Sequence, residues 1–370
     1  MFATTIPAAG AHVQAAHATP PIGHRLQAIL DRAVRAPKTT FPGVALYVRR
    51  PGHPAWSGAA GKASIDPAMR MRAGDRFRAG SIMKPFIAAA TLQLVEEGKF
   101  ALDDPLTTVL PAGVTARFPD ADQITVRMLL NHTSGIAQYT DAGFDREVLA
   151  NPRRRWTTAE LLDRAASMPR SGAPGERHSY SNANYNLLGL VLEHATGKPW
   201  RAVIRERIIE PLHLAHTSLP EPGHVPTGRD IAHAYQLVNG RLRDLTDVDS
   251  SMAGASGGHA LLTTTKDLTR FLDALLAGRL FQRQETLKEM QTFVAAPEPT
   301  GKVGYGLGLE RYVLPGGVEM VGHLGTTAGY RALVFRLPAQ DIDIAMVITT
   351  PDDPTPVLIP VLKLLLAQRS

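Results

Sequence analysis

A chain of 370 residues, 44% hydrophobic and 20% charged, is long enough for one large or two interleaved globular domains around a sizeable core. It contains no cysteine, which excludes disulfides, thiolate metal sites and a cysteine nucleophile. The net charge of +6 is scattered apart from Arg153-Arg154-Arg155 and lacks interleaved aromatics, so a solvated surface is expected and a nucleic-acid partner is not.

Residues 1–22 are rich in Ala, Thr and Pro and read as an N-terminal arm. They lack the charged and apolar regions of a leader, so a periplasmic or secreted location is expected only if a leader was removed. A cytoplasmic location stays open. Residues 24–36, with Leu26, Ile29, Leu30 and Val34, have helical spacing. Phe41 to Arg49 alternates as a strand, and Pro54 to Lys62 reads as its hairpin partner. A helix is expected to start at Ser81 and to end near Gly98. From about 100 to 295 the pattern is mostly helical, with helices at 124–130, 158–168, 185–195 and 265–276, the last capped by Thr265. Strands return at 305–312, 318–323, 330–337 and 342–349, and a short helix around 357–366 closes the chain. That helix holds Pro360 and Lys363 and is too short to cross a bilayer.

The expected architecture is α/β (α+β). Residues 23–80 and 296–370 form an antiparallel sheet flanked by terminal helices, and residues 81–295 form an inserted, mainly helical domain. The cleft between the two parts is the expected site.

Three short motifs carry chemistry. In Ser81-Ile82-Met83-Lys84 a hydroxyl and an amine lie three residues apart, on one face of a helix start. A serine needs a base to become a nucleophile, and a desolvated lysine can share that work. Taken alone, Ser81 reads equally well as an N-cap and Lys84 as a solvated first-turn residue. Tyr180-Ser181-Asn182 precedes a helix. Its phenol can carry a proton if neighbouring cations lower its pKa, and the Asn182 amide can hold a carbonyl or the lysine. The plain alternative is that Asn182 or Asn184 is an N-cap and Tyr180 a loop aromatic. His323-Leu324-Gly325-Thr326 falls at a strand end, where Gly325 would let a substrate backbone approach. There the N–H groups of Ser81 and Thr326 would form a two-donor oxyanion hole. Ser256-Gly257-Gly258 is expected in a loop near the cleft, with no assigned role.

In this order, the motifs resemble those of the penicillin-recognising serine hydrolases. The similarity runs from about residue 25 to 350. It includes Leu94 to Lys99, Asn131 to Gly135, Gly304-Tyr305-Gly306-Leu307-Gly308-Leu309 and Gly322 to Gly325. The nearest branch resembles the secreted D-alanyl-D-alanine carboxypeptidases, D-aminopeptidases and D-amino-acid amidases related to class C β-lactamases. His-x-Gly is more typical of that branch than Lys-Thr-Gly, which points away from a dedicated β-lactamase.

The resemblance implies a fold of the class C β-lactamase/DD-peptidase type and an acyl-enzyme at Ser81, with no metal or cofactor. The substrate would be a small molecule or a peptide. Lys84 and Tyr180 would manage protons, Tyr180 as base toward the leaving group. Asn182 would bind the acyl-side amide. His323 would replace the third-motif cation and help orient Tyr180, and Phe144 would wall the pocket. The carboxypeptidase branch has an arginine and a threonine where this chain has Glu310 and Leu324. A substrate carboxylate near Glu310 would be repelled unless Arg311 turned inward. The expected reaction is therefore cleavage of amide or peptide bonds of D-amino-acid substrates. A promiscuous carboxylesterase and a non-catalytic penicillin-binding sensor are the alternatives.

Overall fold

The computed structural model describes residues 21–37, 39–226, 228–257 and 259–367. The expected arm thus lies outside the described residues except for its last two positions, where Ile22 already begins a helix. Gly258 also lies outside them.

Nine antiparallel strands form the main sheet. In chain order they are β1 (Gly43–Arg49), β2 (Trp56–Ser64), β3 (Met69–Arg70), β4 (Val294–Ala295), β5 (Lys302–Tyr305), β6 (Glu310–Leu314), β7 (Val318–Thr327), β8 (Tyr330–Leu337) and β9 (Ile342–Ile348). Their order across the sheet is β3-β2-β1-β9-β8-β7-β6-β5-β4. Pairing of β1 with β9, Val44 opposite Ile348, closes the two ends of the chain into one sheet.

Alternation sorts the side chains. Val44, Leu46, Val48, Leu333, Phe335, Ile344 and Met346 share one apolar cluster with Leu26 and Leu30 of helix α1 (Ile22–Arg35) and with Val357 and Val361 of the closing helix (Thr355–Leu366). Each such side chain, fully buried, contributes about 1.5–3 kcal/mol. The opposite face carries the smaller Ala45, Ala332 and Ala345 among Val334 and Val347. These short side chains let the helix Thr265–Leu276 lie close to the strands. That helix is capped by Thr264, one residue before the expected cap. Helix α2 (Met83–Glu96) packs next to it, with Phe86 stacked on Phe271.

The expected strand 305–312 is two strands. Leu307 and Leu309 continue the apolar alternation, but Gly308 has φ +85° and the Gly306 N–H donates to the Leu309 carbonyl at 2.7 Å, which turns the chain back. A Cβ at Gly308 would lie 2.6 Å from that of Ala88, so this turn docks against α2. The middle of the chain also holds a hairpin, Tyr235–Val238 with Arg241–Asp244, that the helical reading overlooked. Its turn is Asn239-Gly240, both with positive φ.

One ionic cluster ties the layers together. Asp343 on β9 is fully buried, 2.5 Å from Arg49 Nε on β1 and 2.6 Å from Arg336 Nε on β8. Arg336 also reaches Asp273 on the packed helix at 2.6 Å. Removing the acid would leave two arginines without their buried partner. Asp343→Ala is expected to cost about 3 kcal/mol of stability, read as a lower midpoint in denaturant unfolding.

Candidate active site

Ser81 sits in a single 3-10 turn, Gly80–Ile82, and α2 proper begins at Met83, two residues later than expected. The spacing still places the Lys84 amine 3.1 Å from Ser81 Oγ. Lys84 has no exposed surface. Its Nζ also lies 2.8 Å from Asn182 Oδ1 and 2.6 Å from the Ser256 carbonyl oxygen. Burial pushes the Lys84 pKa well down, with the charge of Glu310 opposing the shift.

Asn182 is the first residue of a helix, Asn182–Thr196, which Gly197 ends in the left-handed conformation. The residue before it, Ser181, makes no cap hydrogen bond and instead donates to the Ala137 carbonyl. Asn182 is therefore no N-cap; its amide spans Lys84 and Thr140, donating to Thr140 Oγ1 at 3.1 Å. Asn184 meets Ser134 and His132, joining the Asn131–Gly135 turn to the same helix.

Tyr180 stands over Lys84, with its ring centroid 4.8 Å from the amine. Burial pushes its phenol well above the usual range, and the Ser81 side chain opposes this. The expectation that cations lower this pKa is thus corrected. The phenol is protonated at rest.

The end of β7 completes the site. A Cβ at Gly80 would lie 3.0 Å from the Thr326 nitrogen, so the turn carrying Ser81 rests against the Thr326 backbone. Gly325 has another use than the expected one. A Cβ there would come 1.9 Å from the Ala79 carbonyl oxygen, so the close approach is by the chain itself. Gly257 makes similar room for the Gly80 carbonyl, at 2.2 Å from a Cβ position. Ser81, Phe144, Asn182, Met252 and Thr326 line one cavity of about 370 Å³.

Two expected site residues lie elsewhere. His323 is buried, its Nε2 is 2.9 Å from the Tyr305 hydroxyl, and its Nδ1 faces the Leu324 carbonyl. The Tyr305 ring stands between it and Tyr180, with centroids 5.8 Å and 6.1 Å away. Burial lowers the His323 pKa, so the ring is a neutral partner of Tyr305 rather than a cation beside Tyr180. Glu310 is buried, accepts the Leu324 N–H at 2.8 Å and does not line the cavity. Arg311 turns away and pairs with Glu319 at 2.9 Å.

Sequence reasoning missed two groups. The Ser256 carbonyl belongs to the loop that had no assigned role. Lys302, only 3% exposed, holds its amine 5.9 Å from the Tyr180 ring centroid and 5.8 Å from that of Tyr305. It pairs with Glu298 at 2.6 Å and faces Glu310 at 3.8 Å. A lysine two residues before the Gly-Tyr-Gly run lies outside every motif considered.

Comparison with known proteins bears on this arrangement. The family model described as beta-lactamase matches residues 29–367. Esterase EstB of Burkholderia gladioli is 31% identical over 336 residues, 82% of this chain and 83% of that protein. A D-stereospecific amidohydrolase from Streptomyces sp. superposes with a TM-score of 0.81 at 34% identity, covering 91% of this chain and 98% of that one. The D-amino acid amidase from Ochrobactrum anthropi SV3, complexed with L-phenylalanine amide, gives 0.80 at 28% identity, covering 94% and 99%. The chain belongs to the beta-lactamase family and is an enzyme of the serine hydrolase type.

Proposed function

We propose that the enzyme forms an acyl-enzyme at Ser81 and cleaves amide or peptide bonds of small substrates containing a D-amino acid. The observation that carries this reading is the Lys84 amine, buried 3.1 Å from Ser81 Oγ. A neutral amine has two N–H groups and one lone pair. Two carbonyl oxygens, Asn182 Oδ1 and the Ser256 carbonyl, take the two N–H groups. The lone pair is left for the Ser81 hydroxyl.

The steps follow from that arrangement. Ser81 Oγ attacks the substrate carbonyl and passes its proton to Lys84. The N–H groups of Ser81 and Thr326 stabilise the oxyanion. The protonated phenol of Tyr180 gives its proton to the leaving nitrogen and is reprotonated from Lys84. Water then repeats the sequence on the acyl-enzyme. In this reading Lys84 is the base and Tyr180 the relay.

The preference for D-amino-acid amides draws on the two amidohydrolase structures named above. It also draws on a cavity walled by Phe144, Val148 and Met252, with Arg311 turned away from it. A second reading, hydrolysis of short acyl esters, is supported by the likeness to esterase EstB.

Ser81→Ala is expected to lower kcat by about 10⁴-fold or more and to abolish the mass adduct left by a phosphonate. Full activity in that variant would end the reading. Parallel assays on D-phenylalanine amide and p-nitrophenyl butyrate separate the amidase from the esterase. Stoichiometric acylation without turnover would instead favour a sensor.

The pH profile tests the base. The neutral amine is the active form, so kcat/KM rises with pH through the Lys84 pKa, which lies well below the ordinary value. The Glu310 carboxylate favours the ammonium form and so holds that pKa up. Glu310→Gln is expected to move the acid limb to lower pH. An unmoved limb, or one near pH 10, would assign the base elsewhere.

A further inference from the structure

The helix Ala142–Ala150 gives the cavity one wall, through Phe144, Asp145, Val148 and Leu149. These positions follow the i, i+4 spacing of one helix side. Among the described residues lining the cavity, Asp145 alone carries a charged side chain. The other lining groups are hydroxyls, amides and apolar side chains.

Two cations near this helix are committed to other acids, and the exposed Arg146, beside Asp145 in the chain, makes no ion pair with it among the described residues. Arg164 pairs with Asp141 at 3.3 Å and also with Glu147. Arg154 pairs with Glu147 at 3.2 Å and with Glu160 at 3.3 Å. No ion pair among the described residues involves Asp145. Asp145 is an exposed residue at the edge of this wall, and desolvation and repulsion from Asp141 both push its carboxyl pKa up. Arg331, near the far rim, donates to the Thr326 hydroxyl at 2.6 Å and shares a strand face with Leu333 and Phe335, which pack toward the terminal helices. The cavity thus offers an uncompensated negative charge and no positive one. A substrate cation would relieve that charge, whereas a substrate carboxylate would be repelled by it.

We infer that Asp145 is a substrate-binding residue that pairs with an ammonium group next to the scissile carbonyl, so that the enzyme selects amino-acid derivatives with a free α-amine. The inference rests on the Ser81 hydrolase reading and names its substrate class. The small cavity must hold both the carbonyl at Ser81 and the charge at Asp145, so the two groups belong to one short substrate.

The test compares D-phenylalanine amide with N-acetyl-D-phenylalanine amide, and the corresponding methyl esters, in wild type, Asp145→Asn and Asp145→Glu. The esters keep the comparison readable if the enzyme is confined to esters. Wild type is expected to favour the free amine by at least tenfold in kcat/KM on either pair. Asp145→Asn is expected to lose most of that ratio, chiefly through KM, and Asp145→Glu to recover part of it. A wild type indifferent to acetylation, or a ratio unchanged in Asp145→Asn, overturns the ammonium site. Ester turnover and a Ser81 phosphonate adduct in that same wild-type enzyme would show that the hydrolase reading survives without it.

Discussion

The site depends on the burial of one amine. Lys84 has no exposed surface and, among the described residues, no carboxylate within hydrogen-bond distance; its neighbours are a hydroxyl, a side-chain amide oxygen and a backbone carbonyl. These groups solvate an ammonium poorly compared with water, so the charged form is the costly one. The same neighbours suit a neutral amine. Each comes from a different part of the chain: Ser81 from the turn before α2, Asn182 from a helix start a hundred residues on, and Ser256 from the loop before the helix that packs on the sheet.

The turn carrying Ser81 is held by backbone packed against backbone. Gly80, Gly257 and Gly325 each lack a side chain where another segment passes, the Thr326 backbone at the first, the Gly80 carbonyl at the second and the Ala79 carbonyl at the third. Any side chain at these positions would pry the segments apart. The spacing between the Ser81 and Thr326 backbones is thus set by β7. Strand β7 is set in turn by β8, β8 by β9, and β9 pairs with β1 from the other end of the chain. A site assembled from distant residues inherits its geometry from one sheet register, which fixes every side chain to a face.

Much of this was legible in the sequence, for identifiable reasons. Alternation marked β1, β8 and β9 because one face of each is strongly apolar, and Gly98 marked a helix end because it adopts positive φ. The split of 305–312 was hidden because Leu307 and Leu309 keep the strand alternation going through a turn. The hairpin at Asn239-Gly240 carried its usual turn signal but lay inside a stretch read as helical. Lys84 meets Ser81, Asn182 and Tyr180, and Ser81 and Asn182 line the cavity, whereas His323 and Glu310 are engaged with Tyr305 and the Leu324 backbone; only strand pairing decides which way those two point. The Ser256 contribution is a carbonyl, which any residue could supply, so no residue type could have announced it.

The displacement of His323 changes how charge is arranged around the phenol. A bare cation against Tyr180 would lower its pKa and favour a phenolate at rest. Here the nearby cation is Lys302, and its charge is shared with Glu298 and Glu310 rather than spent on the ring. Both acids raise the Tyr180 pKa, in the same direction as burial. His323 is neutral and engaged with Tyr305. Every one of these effects keeps the proton on the phenol, while burial keeps it off the lysine. The two groups that flank Ser81 are thereby set in opposite states, an amine able to accept a proton and a phenol able to give one. In the proposed mechanism that polarity makes Lys84 the base, without requiring any charged residue to enter the cavity from β7.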